Sequence, residues 1–162
     1  DRGFSRTFCR DCPFILMLKI LKERKMGVIC DAGCSILAMN RPHELGLASY
    51  GMGASIAVAA RSTKVALIGD YALLHSGLNA LIDVYEKGLP LLCIVMKNDC
   101  TAMTGRQPAW DPLPYLGWAD PVVCRADDET TLERELVVTD RPRTLVTQGA
   151  CPEGSSHETI VY

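Results

Sequence analysis

Apolar residues recur along this chain in two registers, and the switches between them mark its elements. Residues 64–69 (KVALIG) and 89–97 (LPLLCIVMK) are near-continuous apolar runs of strand length. Runs of this kind suit strands buried on both faces of a parallel sheet. The segment between them is long enough for the helix that a parallel crossover requires, so the three make a βαβ unit. Upstream, Phe14, Ile15, Leu18 and Leu21 fall at helical spacing after Cys12-Pro13, and residues 22–25 (KERK) end the pattern in charge. Proline suits a first helical turn, which predicts a helix over 12–25 that Gly27 stops. Residues 28–30 predict a short strand, and 35–49 read as irregular with one helical turn before Arg41-Pro42. Tyr50-Gly-Met-Gly-Ala-Ser55 leads into a helix of small residues ending near Arg61, able to lie close to the sheet or to a ligand. Strand 122–124, helix 130–138 and strand 144–147 complete the set. Five strands separated by helices predict an α/β fold, a doubly wound, mostly parallel sheet with helices on both faces. The expected organisation is a single domain over 1–162, with a polar arm at 1–8 and a tail at 152–162.

Bulk properties narrow the function classes. A hydrophobic fraction of 48% is ample for a buried core. The net charge of −2 and the lack of basic runs interleaved with aromatics predict no nucleic-acid partner. The longest apolar runs, 14–18 and 89–96, fall far short of a bilayer span, so no membrane partner is expected. No secretory leader is visible from Asp1, and a core of this composition needs no disulfide staples. A reducing, cytoplasmic setting is expected. The loop 108–119 holds both tryptophans and three prolines and reads as a lid or a partner-facing surface.

The candidate chemistry lies at two strand ends. The first long strand stops at Gly69-Asp70, the second at Asn98-Asp99. In a parallel sheet both ends lie on one edge, where open α/β sheets bind ligands. Asp70 offers a carboxylate, Asn98 an amide oxygen, and the loop after it free carbonyls, a hard oxygen set that suits Mg²⁺ holding phosphate oxygens. Taken alone, either end is also ordinary turn chemistry. Their separation, 98 − 70 = 28 positions, is about one βαβ repeat.

These residues carry a resemblance. Gly69-Asp70, then His75-Ser76-Gly77, then Asn98-x-x-Thr101-Ala-Met-Thr104-Gly105-x-Gln107-Pro108 is similar to the thiamine-diphosphate domain of the 2-oxoacid:ferredoxin oxidoreductases, nearest to the indolepyruvate ferredoxin oxidoreductase α-subunit. The resemblance implies that Mg²⁺ bridges Asp70, Asn98 and the Cys100 backbone carbonyl to the diphosphate, where the family commonly has Thr at 100. It implies that Gly69, Tyr71, Ala72, Thr101, Thr104 and Gly105 line the pocket. Gly51, Met52 and Gly53 match the segment that meets the two rings of the coenzyme, and His75 and Thr104 become candidate catalytic groups. His43 and His157 receive no role.

Eight cysteines stand at 9, 12, 30, 34, 93, 100, 124 and 151. Cys30, Cys93 and Cys124 fall in apolar strand runs and read as core. A C-x-x-C pair such as Cys9/Cys12 fits zinc, a redox dithiol or an iron–sulfur cluster. Here Cys9-x-x-Cys12-Pro13 resembles the family's C-P-G-C, Asp31-x-Gly33-Cys34 its D-I-G-C, and Cys151-Pro152 a late P-C. The implied set for a [4Fe–4S] cluster is Cys9, Cys12, Cys34 and Cys151, with Asp31, Gly33 and Cys34 also at the coenzyme.

The implied reaction is oxidative decarboxylation of a 2-oxoacid with electrons passed to ferredoxin or another iron–sulfur acceptor. The implied partner is a subunit whose pyrimidine-binding domain supplies the activating glutamate, which makes this chain one subunit, or a fragment, of a larger assembly. Alternatives are a non-oxidative thiamine-dependent decarboxylase subunit and a non-catalytic scaffold. Phe14, Cys30 and Arg106 depart from the family's His, Gly and His.

Overall fold

The computed structural model describes residues 7–152. Its centre is a six-stranded, wholly parallel sheet: β1 (Val28–Cys30), β2 (Gly46–Ser49), β3 (Val65–Gly69), β4 (Leu91–Lys97), β5 (Val122–Arg125) and β6 (Pro142–Gln148), in spatial order β2-β1-β3-β4-β6-β5. The two runs predicted as buried strands are its middle. β3 pairs with β4 from Val65↔Leu92 to Gly69↔Met96, and every residue of β4 is buried.

Helices cover both faces, and the alternation of strand side chains assigns each residue to one of them. Val65, Leu67, Leu92, Ile94 and Met96 pack with Met17, Leu18 and Leu21 of α1 (Ile15–Glu23) and Leu132 of α5 (Glu129–Glu135). Ala66, Ile68, Leu91, Cys93 and Val95 pack on the other side with Ile56 and Ala59 of α2 (Ala54–Ala60) and Leu81 and Val84 of α4 (Leu78–Glu86). The expected doubly wound α/β sheet is therefore present, with parallel pairing throughout.

Four expectations need adjustment. The stretch 35–49, read as irregular, contains a 3₁₀ segment (Cys34–Met39) and the edge strand β2; β2 is short and only half-buried, so it carries no apolar alternation. The crossover helix is not uniform: after one turn of α3 (Asp70–Ala72) it widens to a π segment (Leu73–Gly77) before α4. The loop after Gln107 is anchored rather than free-standing, with Leu116 and Ala119 buried and Tyr85 Oη donating to the Ala119 carbonyl at 3.1 Å. Phe8, assigned to a polar arm, is buried against the His43 ring. His157, most of the tail and most of the arm lie outside the described residues.

The strand order places a topological switch between β1 and β3. From β1 the chain moves outward to β2, then returns across to β3 and proceeds to β4. Crevices of this kind, outside the carboxyl ends of the strands, are where open α/β sheets take ligands.

Candidate functional site

At that switch point lies a cavity of 390 Å³. The end of β1 contributes Gly33 and Cys34, and the turn before α2 contributes Met52. The end of β3 contributes Gly69, Asp70, Tyr71 and Ala72, and the segment after β4 contributes Asn98, Cys100, Thr101 and Thr104. Residues predicted from four separate stretches of sequence thus meet at one place. Ala32, Ser35, Met96, Ala102 and Met103 also line the cavity; apolar or small, they carried no chemical signal in the sequence.

Asp70 is the buried centre of this arrangement, 2% exposed. Its Oδ1 accepts the Tyr71 N–H at 2.7 Å, and its Oδ2 accepts the N–H groups of Asn98 at 3.0 Å and Asp99 at 2.7 Å. The carboxylate therefore ties β3 to the chain leaving β4. Asp99 adopts φ 58° to make this turn, a left-handed conformation that aspartate tolerates. Burial pushes the Asp70 carboxyl above its usual range, and the three N–H donors oppose the shift. A carboxylate this buried suits a bound metal ion. Asn98 and Cys100 line the cavity with Asp70, and a carboxylate with an amide oxygen is the kind of hard oxygen donor that Mg²⁺ takes.

The loop after β4 is stiffened by its own hydrogen bonds. The Thr101 N–H donates to the Gln107 carbonyl at 2.9 Å, Gln107 Nε2 donates to the Thr104 carbonyl at 2.9 Å, and Thr101 Oγ1 donates to Gln107 Oε1. Gly105, at φ 113°, makes the turn and stands off the cavity lining. Arg106 reaches out of this loop to donate to the carbonyls of Pro152 at 2.6 Å and Cys151 at 3.4 Å.

Four of the other predicted site residues also stand outside the lining. Asp31 is wholly buried beneath it, and Gly51 and Gly53 belong to the turn that presents Met52. His75 is exposed in the π segment, its Nδ1 hydrogen-bonded to Ser76 Oγ at 2.5 Å and its ring 5.7 Å from that of Tyr71. The tight passage of Gly53 against Ser76 couples the two segments: a Cβ on Gly53 would meet the Ser76 backbone carbon at 2.5 Å.

A second cavity, of 230 Å³, adjoins the first, and Cys9, Cys12, Cys34 and Cys151 all line it. Cys34, Asn98, Ala102 and Met103 belong to both walls. Burial pushes the Cys12 and Cys34 thiols up to about 12, with neighbouring thiols adding to the rise in both. Cys30, Cys93 and Cys124 are buried in the core, as their strand patterns predict. Among the described residues, no three His, Cys, Asp or Glu side chains stand together tightly enough to hold a single metal ion. Zinc draws its thiolates in to about 2.3 Å, whereas a cubane cluster holds its four thiolates farther apart, around a larger body. Thiols ringing a cavity, rather than converging on a point, fit the larger group better.

Among the described residues, no helix is long and apolar enough to cross a membrane. Known proteins place the geometry in context. The indolepyruvate oxidoreductase subunit IorA of Archaeoglobus fulgidus is 29% identical over 113 residues, 63% of this chain and 18% of that protein. Its namesake from Methanothermobacter thermautotrophicus is 33% identical over 96 residues, 56% of this chain and 15% of that protein. The chain thus spans less than a fifth of the length of these relatives. The solved 2-oxoglutarate:ferredoxin oxidoreductase from Magnetococcus marinus superposes with a TM-score of 0.70 at 15% identity, over 93% of this chain and 66% of that one, a likeness of fold. The family described as thiamine pyrophosphate enzyme, C-terminal TPP binding domain, matches residues 31–119, from the end of β1 through the anchored loop. By that match over more than half its length, and by a fold whose switch-point cavity gathers the matched residues, this chain belongs to the thiamine pyrophosphate enzymes as their C-terminal TPP-binding domain.

Proposed function

We propose that this chain is the coenzyme-holding part of a 2-oxoacid:ferredoxin oxidoreductase, an enzyme that decarboxylates a 2-oxoacid oxidatively and passes the electrons to an iron–sulfur centre. The observation that carries the proposal is the shared wall: the thiol-lined cavity and the Asp70 cavity meet at Cys34 and Asn98. An electron leaving one site has a short path to the other.

When bound, thiamine diphosphate supplies a carbon nucleophile and an electron sink, which is the chemistry no side chain here provides. The chain's own residues do the holding. Asp70, Asn98 and the Cys100 carbonyl would hold a Mg²⁺ ion, which would neutralise the phosphate end. Thr101, Thr104 and Met103 form the outer lip, and Met52 is presented by a turn tethered from beneath. Cys9, Cys12, Cys34 and Cys151 take a [4Fe–4S] cluster as thiolates. Holding a cluster would require these groups as thiolates, although burial holds the Cys12 and Cys34 thiols high in its absence. His75, exposed and beside Tyr71 at the cavity rim, is placed to meet substrate or a partner subunit.

The proposal also requires a pyrimidine-binding domain facing this cavity, which supplies the glutamate that activates the coenzyme. The relatives' indolepyruvate is one 2-oxoacid among those the site could take. The test is anaerobic purification of the intact assembly with analysis for thiamine diphosphate, iron and acid-labile sulfide. All three are expected. Coenzyme without iron or sulfide would establish the non-oxidative alternative, and a preparation with no coenzyme would overturn the proposal.

A further inference from the structure

The structure brings a fifth thiol to the ring of four. β4 and β6 run side by side to the last paired residues, Lys97↔Gln148, and the Gly149 N–H still donates to the Lys97 carbonyl at 3.0 Å. Cys100 lies three residues beyond Lys97, and Cys151 three beyond Gln148. Arg106 then binds the two departing segments together through the Cys151 and Pro152 carbonyls. Both cysteines are half-buried, both line the open cleft between these segments, and the Cys100 side chain lies close enough to that of Cys151 to help raise its pKa. We propose that Cys100 and Cys151 are a redox pair that closes to a disulfide under a two-electron oxidant such as hydrogen peroxide.

The step balances with peroxide alone. The Cys100 sulfur attacks one peroxide oxygen, the O–O bond breaks, and hydroxide leaves as water, so that a sulfenic acid remains. The Cys151 sulfur attacks that sulfur; the S–S bond forms, the S–O bond breaks, and a second water departs with the Cys151 proton. Two thiols lose two electrons and two protons, and one peroxide becomes two waters. Closure pins the loop after β4 to the segment after β6. It would also withdraw Cys151 from the four thiols assigned to a cluster; that consequence rests on the function proposed above, whereas the bond itself does not.

The sequence makes the test unambiguous. Trypsin releases Cys100 on peptide 98–106 and Cys151 on peptide 144–162, each with a single cysteine. The full chain, reduced under anaerobic conditions and then treated with stoichiometric hydrogen peroxide, is alkylated and digested without reductant. The expected product is a cross-linked pair of these two peptides, lighter than their sum by two hydrogens and lost on adding dithiothreitol. In Cys100→Ser the pair is absent and Cys151 is recovered alkylated. Recovery of both wild-type peptides alkylated after peroxide would overturn the proposal, as would pairing of Cys151 with Cys9 or Cys34 in the wild type. Iron is removed with a chelator before the reduction, so neither result depends on whether the chain binds coenzyme or iron.

Discussion

The carboxylate of Asp31 accepts a hydrogen bond from the backbone N–H of Gly53 at 2.8 Å, across 22 residues of sequence. The same oxygen takes the Ala32 N–H at 2.9 Å, and the other takes the Ser55 N–H at 3.1 Å. Asp31 is wholly buried at the end of β1, and Gly53 opens α2. The resemblance implies that both residues contact the coenzyme. The geometry also makes Asp31 a strut: it holds the Gly51–Gly53 turn from below, and the turn presents Met52 to the cavity.

Replacement of Asp31 by Asn tests the strut. The amide keeps one acceptor and sets its NH₂ group against a backbone N–H, leaving a buried donor unpaired at a cost of about 1–3 kcal/mol. Unfolding in urea should show that loss. Amide exchange should accelerate at Gly53 and Ser55 beyond the global change, and thiamine diphosphate should bind more weakly while Asp70 is untouched. Exchange at those two amides that merely follows the global stability would remove the strut.

Gly53 itself tolerates no side chain. Its φ of 81° is left-handed, and a Cβ would stand 2.5–2.7 Å from the carbon, Cβ and oxygen of Ser76. Left-handed strain costs about 1–2 kcal/mol and overpacking about 1–3 kcal/mol. Gly53→Ala should therefore destabilise the fold by roughly 3 kcal/mol. It should also disturb the His75–Ser76 contact, visible as a shift of the His75 ring resonances. Gly51→Ala, with open space around its Cβ position, is the control and should be near neutral.

Much of the site was legible because its chemistry sits where strands end. Asp70 and Asn98 could be paired from their spacing alone, since parallel strands deliver both ends to one edge. The ring of cysteines was legible only through the resemblance, because no local spacing connects Cys12 to Cys34 or Cys151. β2 was hidden for lack of alternation in Gly-Leu-Ala-Ser. The π segment was hidden because a helical apolar pattern does not distinguish the wider turn; Gly77, whose Cβ position faces Ile68 at 3.0 Å, is a hint visible only in three dimensions. Arg106, counted as a departure from the family, proves to bind the Cys151–Pro152 segment, a role that required the fold to see.

His43 predicts a pH dependence outside the site. It is buried edge-on to Phe8, with ring centroids 5.4 Å apart at 86°. Burial, and then the charge of Lys22, hold its pKa below the usual value. The unfolded chain therefore takes up the proton more readily than the folded one. The stabilising contribution is complete above about pH 6.5, the unfolded value, and is lost as pH falls through the lower folded value. The slope approaches about 1.4 kcal/mol per pH unit at most. His43→Phe retains the ring contact and should flatten that part of the stability curve between about pH 7 and pH 5. An unchanged curve would place the acid sensitivity elsewhere.

Asp70 predicts the response to ligand, with the opposite sign of linkage in the metal-free chain. Burial raises its carboxyl pKa in the folded state, so its stabilising contribution is complete below the unfolded value of about 3.9 and declines as pH rises through the folded one. A divalent cation reverses this by favouring the ionised form. At neutral pH, Mg²⁺ with thiamine diphosphate at about 100 times its Kd should stabilise the fold by about 2.7 kcal/mol, a rise in Tm of about 5–10 °C for a domain of this size. On acidification the proton competes for Asp70, and the increment should shrink at a pH above the ordinary carboxylate range. Asp70→Ala should abolish the increment while the metal-free chain still folds, with the N–H groups of Asn98 and Asp99 left to water. A variant that keeps the full Mg²⁺-dependent rise in Tm would show that the cation is anchored without Asp70.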